Sequence, residues 1–524
     1  MIKSGVKNKN NTKISGTLNR NGASCETNGW KYVSIWGEPK ERGYAYGAIC
    51  AKDFEEIQKI LITIIPIKYG LEWSWFVETI GTELMTVSKK NAELFNEMTG
   101  IVEGCNSKGV KTTIKEIIAW NYYISIPYWW NDYVKRHNKN NRVEIDDRCS
   151  AFMAVGKDWT SDGKIIAAHN TFSWFYDVFN IVLDIRPTKG NRIVMQTSPL
   201  WIWSGSDFFI TSAGFIGCET TIERFDSYKK QVPRNYRLRR AAQYANTLDE
   251  YEKYLLQGNS GDGASSWLIG DTNTNEIMRF ELGLKYHNTA KTKNGYFIGF
   301  NSTYDNRIRN IECNMSTNIF DIQTHIGSRK VRLTDLMDKH KGKINLSVAK
   351  KILSDHYDVY LLKNNPSSRT VCSHYNLDNR QYSTVISNKP AYAPKGAIDG
   401  KVCDSNMAKR MQFLGRIGNT CGKPFNSKSF FSKHKQWKIF EPVIKNKPSQ
   451  PWTLLPPTKM LNAYNSNTKN KTKNNTNNNT KSNNKNNIKR KNNKTNKRSN
   501  STRKNKRGNY SKTIKKRMHT YTYK

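Results

Sequence analysis

The residue of this sequence best placed for nucleophilic chemistry is Cys149, in the stretch DDRCSAFMAVG at residues 146–156. It stands where a charged, polar loop gives way to an apolar run, and such loops are preferred sites of cleavage. If the bond between Arg148 and Cys149 were cut, the α-amine of Cys149, with an ordinary pKa of about 7.7 to 8.0, could serve as the general base for its own thiol. Local sequence alone favours a simpler interpretation, in which Cys149 is a buried thiol that starts a strand.

The other cysteines and the histidines show none of the spacings typical of metal sites. The nine cysteines contain no C-x-x-C pair, and the nine histidines contain no H-E-x-x-H motif. We therefore expect no metal ligands, no cofactor and no dense disulfide framework. An odd number of cysteines leaves at least one free thiol.

The pattern of apolar residues changes at Cys149 from helical to strand-like. Before it, helical periodicity is carried by AKDFEEIQKILITII (51–65), KNAELFNEMTGIVEGC (90–105) and TIKEIIAWNYYI (113–124). After it come short segments rich in β-branched and aromatic residues: CSAFMAVG (149–156), KIIAAHNTF (164–172), NIVLDIRP (180–187), RIVMQTSP (192–199), DFFITSAGFIGCETTI (207–222), SSWLIGD (265–271), EIMRFELG (276–283) and GYFIGFNS (295–302). One amphipathic helix is predicted among them, at residues 234–257, and the turn GDTNTNE predicts a hairpin. The sequence therefore predicts an α+β fold of layered sheets covered by helices.

Positive charge is concentrated at the C-terminal end of the chain. The formal net charge is +42, and residues 465–524 contain 20 Lys and Arg and no Asp or Glu. Such a segment has little to bury and repels itself, which predicts disorder. Its composition has two interpretations: an AT-rich genome that enriches Lys and Asn codons, or contact with anionic lipid or nucleic acid. The N-terminus is also basic, without the apolar region of a signal peptide, and the longest apolar run, ILITIIPI, is too short to span a membrane.

Several segments, taken in order, resemble the phospholipase B-like family and its relatives, the isopenicillin N acyltransferase-type N-terminal-nucleophile hydrolases. The segments are RCSAFMAVG, IIAAHNTF, FFITSAGFIGCETTIE, SSWLIGDTNTNEIMRFELGL, IGSRKVRLTDLM, GAIDGKVCDSNMA and KQWKIFEPV, and the similarity runs from about residue 30 to 455. The resemblance implies a four-layer αββα sandwich that cleaves itself to expose the nucleophile. It divides the chain into a disordered segment (1–28), a pro-segment or small fragment (29–148), a catalytic large fragment (149–460) and a disordered Lys/Asn-rich tail (461–524).

The resemblance also assigns four catalytic roles. Cys149 matches the nucleophile, His169 the active-site histidine and Asn301 the asparagine that donates to the oxyanion. Arg329 matches an active-site arginine, and Arg332, one helical turn away, is the alternative match. Without the resemblance, His169 would be a strand residue bonded to backbone, Asn301 a turn residue or a glycosylated asparagine in its NST sequon, and Arg329 a solvated side chain.

Two further positions are matched to the substrate pocket. Phe172 lies where phospholipase B-like proteins usually have tryptophan, and Thr221 matches a hydroxyl that lines the site. By pattern alone Thr221 is a typical strand residue.

The implied activity is hydrolysis of an acyl ester or amide through a thioester, with phospholipid deacylation suggested by the family. The same residues would serve an acyltransferase or an N-acyl amide hydrolase, with an amine replacing water in the first case. A different alternative is an inactive, basic protein associated with nucleic acid or a particle. The expected partners are a lipid or acyl-amide substrate and the protein's own cleaved N-terminal fragment. Family members are commonly lysosomal or secreted, whereas this sequence shows no signal peptide.

Overall fold

Two β-sheets carry most of the strands in the computed structural model, which describes residues 20–143, 145, 149–205, 208–313, 318–379 and 391–457. The helices are α1 Pro39–Tyr69, α2 Trp73–Lys90, α3 Ala92–Asn106, α4 Ile114–Asn121, α5 Ile126–Arg136, α6 Arg234–Tyr244, α7 Leu248–Leu256, α8 His325–Lys339, α9 Leu346–Leu353, α10 Ser405–Lys409 and α11 Ser427–Lys433. The strands are β1 Gly22–Thr27, β2 Trp30–Gly37, β3 Cys149–Val155, β4 Ile166–Trp174, β5 Ile181–Pro187, β6 Ile193–Thr197, β7 Phe208–Thr211, β8 Phe215–Thr221, β9 Ser265–Asp271, β10 Glu276–Leu282, β11 His287–Thr292, β12 Gly295–Gly299, β13 Tyr357–Asp358, β14 Lys363–Asn364, β15 Lys395–Asp404, β16 Phe413–Ile417 and β17 Thr453–Leu455.

The larger sheet contains strands from both sides of the predicted cleavage loop in the sequence. Its strand order is β1-β2-β5-β6-β7-β8-β9-β10-β11, so β1 and β2, which precede the loop, extend a sheet built from strands that follow it. The junction is a parallel pair in which β2 runs beside β5, with Val33 opposite Leu183. The smaller sheet has the order β12-β3-β4-β15-β16-β17 and contains Cys149 at the start of β3.

Three apolar clusters hold these elements together. One contains residues from both sheets, among them Val182 of β5, Ile216 of β8 and Met153 of β3. A second joins the other face of the nine-stranded sheet to α1–α7, and a third joins the six-stranded sheet to α8 and α9. The mixed helix-and-sheet class predicted from the sequence is therefore confirmed.

Glycines allow α1 and α3 to pack backbone against backbone. A Cβ atom at Gly47 of α1 would lie 2.1 Å from the carbonyl oxygen of Ile101, and one at Gly104 of α3 would lie 2.2 Å from that of Tyr44. Real Cβ atoms do not approach an oxygen this closely, so a larger residue would push the two helices apart. The segments ERGYAYG and MTGIVEGC thus have a packing reason for their glycines.

The predicted strands between residues 149 and 302 are confirmed, with 207–222 divided into β7 and β8, and β9 and β10 form the predicted hairpin. The single helix predicted at 234–257 is wrong. The chain forms α6 and α7 instead, because Ala245 is extended and the Thr247 hydroxyl accepts from Glu250 N–H to start a new helix.

The disorder predicted for residues 1–28 is wrong at its C-terminal end. Residues 22–27 form β1, which pairs with β2 and buries Cys25. Residues 1–19 of that segment lie outside the described residues, as does the tail from residue 458 onward.

No single described helix is long and apolar enough to cross a bilayer. The helices α1 and α2 meet such a criterion only as a pair, and they are bent by 89° relative to each other.

Candidate active site

Cys149 lies at the centre of the polar residues that the sequence singled out. It is the first residue of β3, its side chain is fully buried, and it pairs with Thr171 of β4. On the other side β12 pairs Gly299 with Ala151, which brings Asn301 level with Cys149. Arg148 lies outside the described residues, so the predicted cleavage bond does too.

Asn301 holds the backbone at Cys149 through its side-chain amide. Its Oδ1 accepts from the Cys149 N–H at 3.4 Å and from Arg329 Nη1 at 2.8 Å, and its Nδ2 donates to the Thr221 carbonyl at 2.9 Å. The Arg329 contact fixes which end of the amide is oxygen, because guanidinium nitrogens only donate. Since Asn301 is fully buried, glycosylation of its sequon is incompatible with this position.

Arg329, rather than Arg332, reaches Cys149. Its Nη1 donates to the Cys149 carbonyl at 2.8 Å as well as to Asn301, and its Nε donates to His325 O at 2.9 Å within α8. Arg332 instead forms an ion pair with Asp355 at 2.7 Å. The helix that carries both arginines begins where the Thr324 hydroxyl accepts from Gly327 N–H.

Phe172 lies on the opposite face of β4 from the Cys149 side chain. Alternation along the strand puts Thr171, the partner of Cys149, toward the nine-stranded sheet and Phe172 toward the helices. There the Phe172 ring lies 5.1 Å from the Arg329 guanidinium. Phe172 therefore packs against Arg329, and its predicted place in the substrate pocket stays a prediction.

His169 shares the inter-sheet face of β4 with Thr171, two residues along the strand. Its Nε2 donates to the Glu219 carbonyl on β8 at 2.9 Å, and its Nδ1 has no hydrogen-bond partner among the described residues. Burial first, and the charge of Lys401 second, hold the pKa of His169 well below its ordinary value of 6.5. The imidazole is therefore neutral. Its Nδ1 is an acceptor without a hydrogen-bond partner among the described residues, and the side chain lies on the inter-sheet face, as that of Cys149 does.

Thr221 joins the site through its main chain. Its carbonyl receives the Asn301 amide, while its hydroxyl lies 3.4 Å from Glu219 Oε1. Its predicted role in lining a substrate pocket stays a prediction.

A buried ion pair beside Thr171 was not identified from the sequence. Lys401 Nζ donates to Asp399 Oδ1 and to the Thr171 hydroxyl, and Gln196 of β6 donates to Asp399 Oδ2 at 2.7 Å. Lys401 and Asp399 are at most 1% exposed. The available signal was a pair of oppositely charged residues two positions apart in the segment GAIDGKVC, because charged residues are rarely buried without a partner.

The side chains that could hold a metal ion, within the described part of the chain, do not include Cys149. They are His356, Cys372, His374 and Cys421.

The family model for phospholipase B matches residues 89–452, a stretch that contains Cys149, His169, Asn301 and Arg329. It covers well over half of the chain, and the chain therefore belongs to the phospholipase B family. The resemblance drawn from the sequence is confirmed.

One curated relative shows a weaker similarity. Phospholipase B-like protein F of Dictyostelium discoideum is 28% identical over 156 residues, an alignment that covers 27% of this chain and 27% of that protein. The chain thus matches about a quarter of the length of this relative.

Proposed function

We propose that this chain is a phospholipase B-type hydrolase that removes acyl groups from phospholipids with Cys149 as an N-terminal nucleophile. Family membership supports ester hydrolysis in general terms. One observation carries the mechanism: the main-chain nitrogen of Cys149 lies 3.4 Å from Asn301 Oδ1, in a group completed by Arg329. Cleavage before Cys149 would turn this nitrogen into an amine that is already positioned by an acceptor.

Self-cleavage is proposed to use the same thiol. The thiol adds to the carbonyl carbon of Arg148 and its proton passes to the nitrogen of Cys149. The C–N bond then breaks, so the acyl group of Arg148 is held on Sγ as a thioester. Water hydrolyses that thioester, leaving a carboxylate on Arg148 and a free amine and thiol on Cys149.

In turnover the α-amine of Cys149 takes the thiol proton, and the thiolate adds to the ester carbonyl carbon. The intermediate collapses to a thioester as the protonated amine gives its proton to the departing alcohol. The amine then removes a proton from water, which attacks the thioester and releases the fatty acid. An amine in place of water gives the acyltransferase reaction, and an amide in place of the ester gives the amidase.

Asn301 is proposed to stabilise the oxyanion. Its Nδ2 carries two hydrogens, of which one is donated to the Thr221 carbonyl. The second has no acceptor among the described residues and is available to a developing negative charge. Lys401, whose ammonium contacts Thr171 opposite Cys149, adds a buried cation on the face of the thiolate.

The proposal includes the four-layer αββα sandwich that such hydrolases share. Its support is the order of the apolar clusters: α1–α7 against the nine-stranded sheet, that sheet against the six-stranded sheet, and the latter against α8 and α9. The catalytic residues lie on or beside the six-stranded sheet.

Self-cleavage is tested by intact mass and N-terminal sequencing of the purified full chain. We expect a fragment that begins Cys-Ser-Ala in the wild type and a single uncut chain in Cys149→Ala. The matched control is Cys218→Ala, a fully buried cysteine of β8 that lies between the sheets; it should be cut like the wild type. Active protein that contains no chain starting at Cys149 would rule out the mechanism.

The substrate class is tested by fatty acid release from three sources in parallel: phosphatidylcholine micelles, a soluble short-chain ester and an N-acyl amino acid. We expect release from the esters that rises with pH toward the amine pKa of about 7.7 to 8.0 and is absent in Cys149→Ala. Release from the amide alone identifies an amidase, and acyl transfer to an added amine identifies an acyltransferase. An inactive protein would release nothing from any of them after cleavage.

A further inference from the structure

Four side chains from three separate segments converge on one point beside β15. His356 follows α9, Cys372 and His374 precede the short helical turn at residues 375–377, and Cys421 follows β16. Their potential ligand atoms all lie within 4.8 Å of one another. Cys372 and His374 are fully buried, and His356 and Cys421 are partly buried.

Hydrogen bonding alone does not account for this arrangement. His374 Nε2 lies 3.1 Å from His356 Nε2, 3.4 Å from Cys372 Sγ and 3.5 Å from Cys421 Sγ. One imidazole nitrogen carries a single hydrogen or a single lone pair, so it can satisfy only one of three neighbours. Three close heteroatoms around one nitrogen are the arrangement expected of ligands gathered around a metal centre.

The three separations from His374 Nε2, out of six among the four ligand atoms, are close to the edges of a zinc tetrahedron. With Zn–N bonds of about 2.0 to 2.1 Å and Zn–S bonds of about 2.3 Å, tetrahedral geometry gives N···N of about 3.3 Å and S···N of about 3.6 Å. The corresponding distances here are 3.1 Å between the Nε2 atoms of His374 and His356, and 3.4 and 3.5 Å from His374 Nε2 to the Sγ atoms of Cys372 and Cys421.

The ligand types and the charge of the group also favour Zn²⁺. Two thiolates and two imidazoles form one of the ligand sets typical of structural zinc. Two thiolate charges neutralise Zn²⁺, so the loaded site buries no net charge, whereas two unpaired thiolates would be costly to bury. His374 Nδ1, which has no partner among the described residues, can keep the proton that a metal-bound imidazole carries on its second nitrogen.

We infer that His356, Cys372, His374 and Cys421 form a structural zinc site. All four coordination positions are filled by protein, which leaves no place for a reacting water and separates this site from a catalytic one. The inference is independent of the proposed hydrolase activity.

The site lies directly behind the candidate active centre. Cys372 packs with Phe172 and Ala397 in one small apolar cluster, against which Cys421 also packs. Phe172 in turn lies under Arg329. Zinc would therefore link the segments that carry His356, Cys372 with His374, and Cys421. It would also hold in place the apolar residues that pack against Arg329, which is hydrogen-bonded to Cys149.

The sequence hides this site because its ligands do not occur in paired motifs. His356 and Cys421 lie 65 positions apart in the numbering, and the only short spacing is Cys372-x-His374. The expectation of no metal ligands rested on the lack of C-x-x-C and H-E-x-x-H patterns, which this geometry does not need.

The direct test is the metal content of the full chain, produced with zinc in the medium and purified without chelator. We expect about one zinc per chain in the wild type and less than about 0.2 in Cys421→Ser. The matched control is Cys313→Ser, also a partly buried cysteine but outside the cluster; it should retain the metal. Equal loss from both variants would contradict the inference.

Three further measurements test the inference even if Cys421→Ser does not fold. Cobalt loaded into the wild type should give the intense visible absorption of a tetrahedral site with thiolate ligands, and Cys421→His should retain the ion with an altered spectrum. Chelation of the wild type should lower its Tm. A zinc-free wild type, with Cys372 and Cys421 either joined in a disulfide or free to alkylate, would overturn the inference.

Discussion

Asn301 combines an unusual backbone conformation with three hydrogen-bond contacts from one side chain. Its φ of 66° is in the left-handed region, which asparagine tolerates better than most residues. From there its amide meets the Cys149 nitrogen, the Arg329 guanidinium and the Thr221 carbonyl. The pairing of β12 with β3 therefore brings Asn301 beside Cys149, and its left-handed backbone conformation directs the side-chain amide toward Cys149 and Arg329.

Replacement of Asn301 tests the oxyanion role. We expect Asn301→Ala to lower kcat on a soluble ester by roughly 10²- to 10³-fold, since it removes an amide donor from the developing charge. Asn28 is the matched control, because it also has a positive φ, 47°, and bonds the distant Thr453 hydroxyl. If Asn301→Ala turns over as fast as Asn28→Ala, Asn301 is not the oxyanion donor.

The neutral, buried His169 predicts loss of stability in acid. The unfolded chain takes up a proton on this histidine near pH 6.5, whereas burial and Lys401 hold the pKa of the folded state well below that value. The contribution is therefore complete above pH 6.5 and is lost as pH falls below it, by about 1.4 kcal/mol per pH unit. Urea unfolding at pH 7.5 and pH 5.5 should show a smaller acid loss in His169→Gln than in the wild type. Equal losses in the two proteins would show that His169 is not the group responsible.

At the scale of elements, the residue composition of short segments and the turn residues between them predicted the strands well. Each strand between 149 and 302 that the sequence indicated is present, because short runs rich in β-branched and aromatic residues, bounded by turn residues, are typical of strands. The prediction of one continuous helix at 234–257 was wrong for a local reason. The apolar periodicity continues through residues 245–247, but Thr247 caps the N-terminus of α7 and so starts a second helix there. α2 lies within the region of about residues 50 to 135 predicted as helical, but it was not singled out there, since its aromatic-rich start does not distinguish helix from strand.

The candidate site shows what pattern alone cannot supply. Cys149 could be singled out from its neighbours, but His169, Asn301 and Arg329 were found through a family resemblance. Their meeting depends on the register of β12, β3 and β4 and on where α8 docks, which are long-range features. The same reason hid the pair Asp399–Lys401, whose partner Gln196 comes from the other sheet.

A buried ion cluster fastens helices α1, α3 and α6. Glu97 of α3 forms ion pairs with Arg42 of α1 at 2.7 Å and with Arg239 of α6 at 2.8 Å, and all three side chains are fully buried. Burial alone would raise the pKa of Glu97, but Arg239 and Arg42 outweigh it and lower the pKa. The cluster links helices on both sides of the predicted cleavage loop.

Removal of the charge on Glu97 should be strongly destabilising. We expect Glu97→Gln to lower the free energy of unfolding by about 3 to 5 kcal/mol, because two buried guanidinium groups lose their shared counter-ion. Glu103→Gln is the control on the same helix; its ion pair with Lys40 is solvent-exposed, and such pairs contribute about 0 to 1 kcal/mol. Denaturant unfolding of both variants checks the expectation, and similar values for the two would contradict it.

At the scale of the whole molecule, the basic tail is separable in principle from the enzyme. The segment 465–524 lies beyond the family match, which ends at residue 452, and has no acidic residue. Its proposed contact with anionic lipid or nucleic acid would be electrostatic, at about 1 kcal/mol for each Lys or Arg near an acidic membrane.

Deletion of residues 465–524 should leave self-cleavage and turnover of a soluble ester unchanged while weakening attachment to polyanions. Binding of the full and shortened chains to anionic vesicles and to duplex DNA, each at two salt concentrations, measures the second effect. Loss of soluble-ester turnover would instead show that the tail belongs to the folded enzyme.

The parallel pairing of β2 with β5 has a consequence for how the protein could be made. In one continuous chain these strands are joined by a tether, and closing that loop costs only conformational entropy. If the chain is cut before Cys149, re-forming the same pairing after unfolding requires two separate molecules to meet and depends on their concentration. A cleaved enzyme that is denatured and diluted would then refold slowly or not at all. The segment before Cys149 would thus assist folding only while it is covalently attached, as an intramolecular chaperone does.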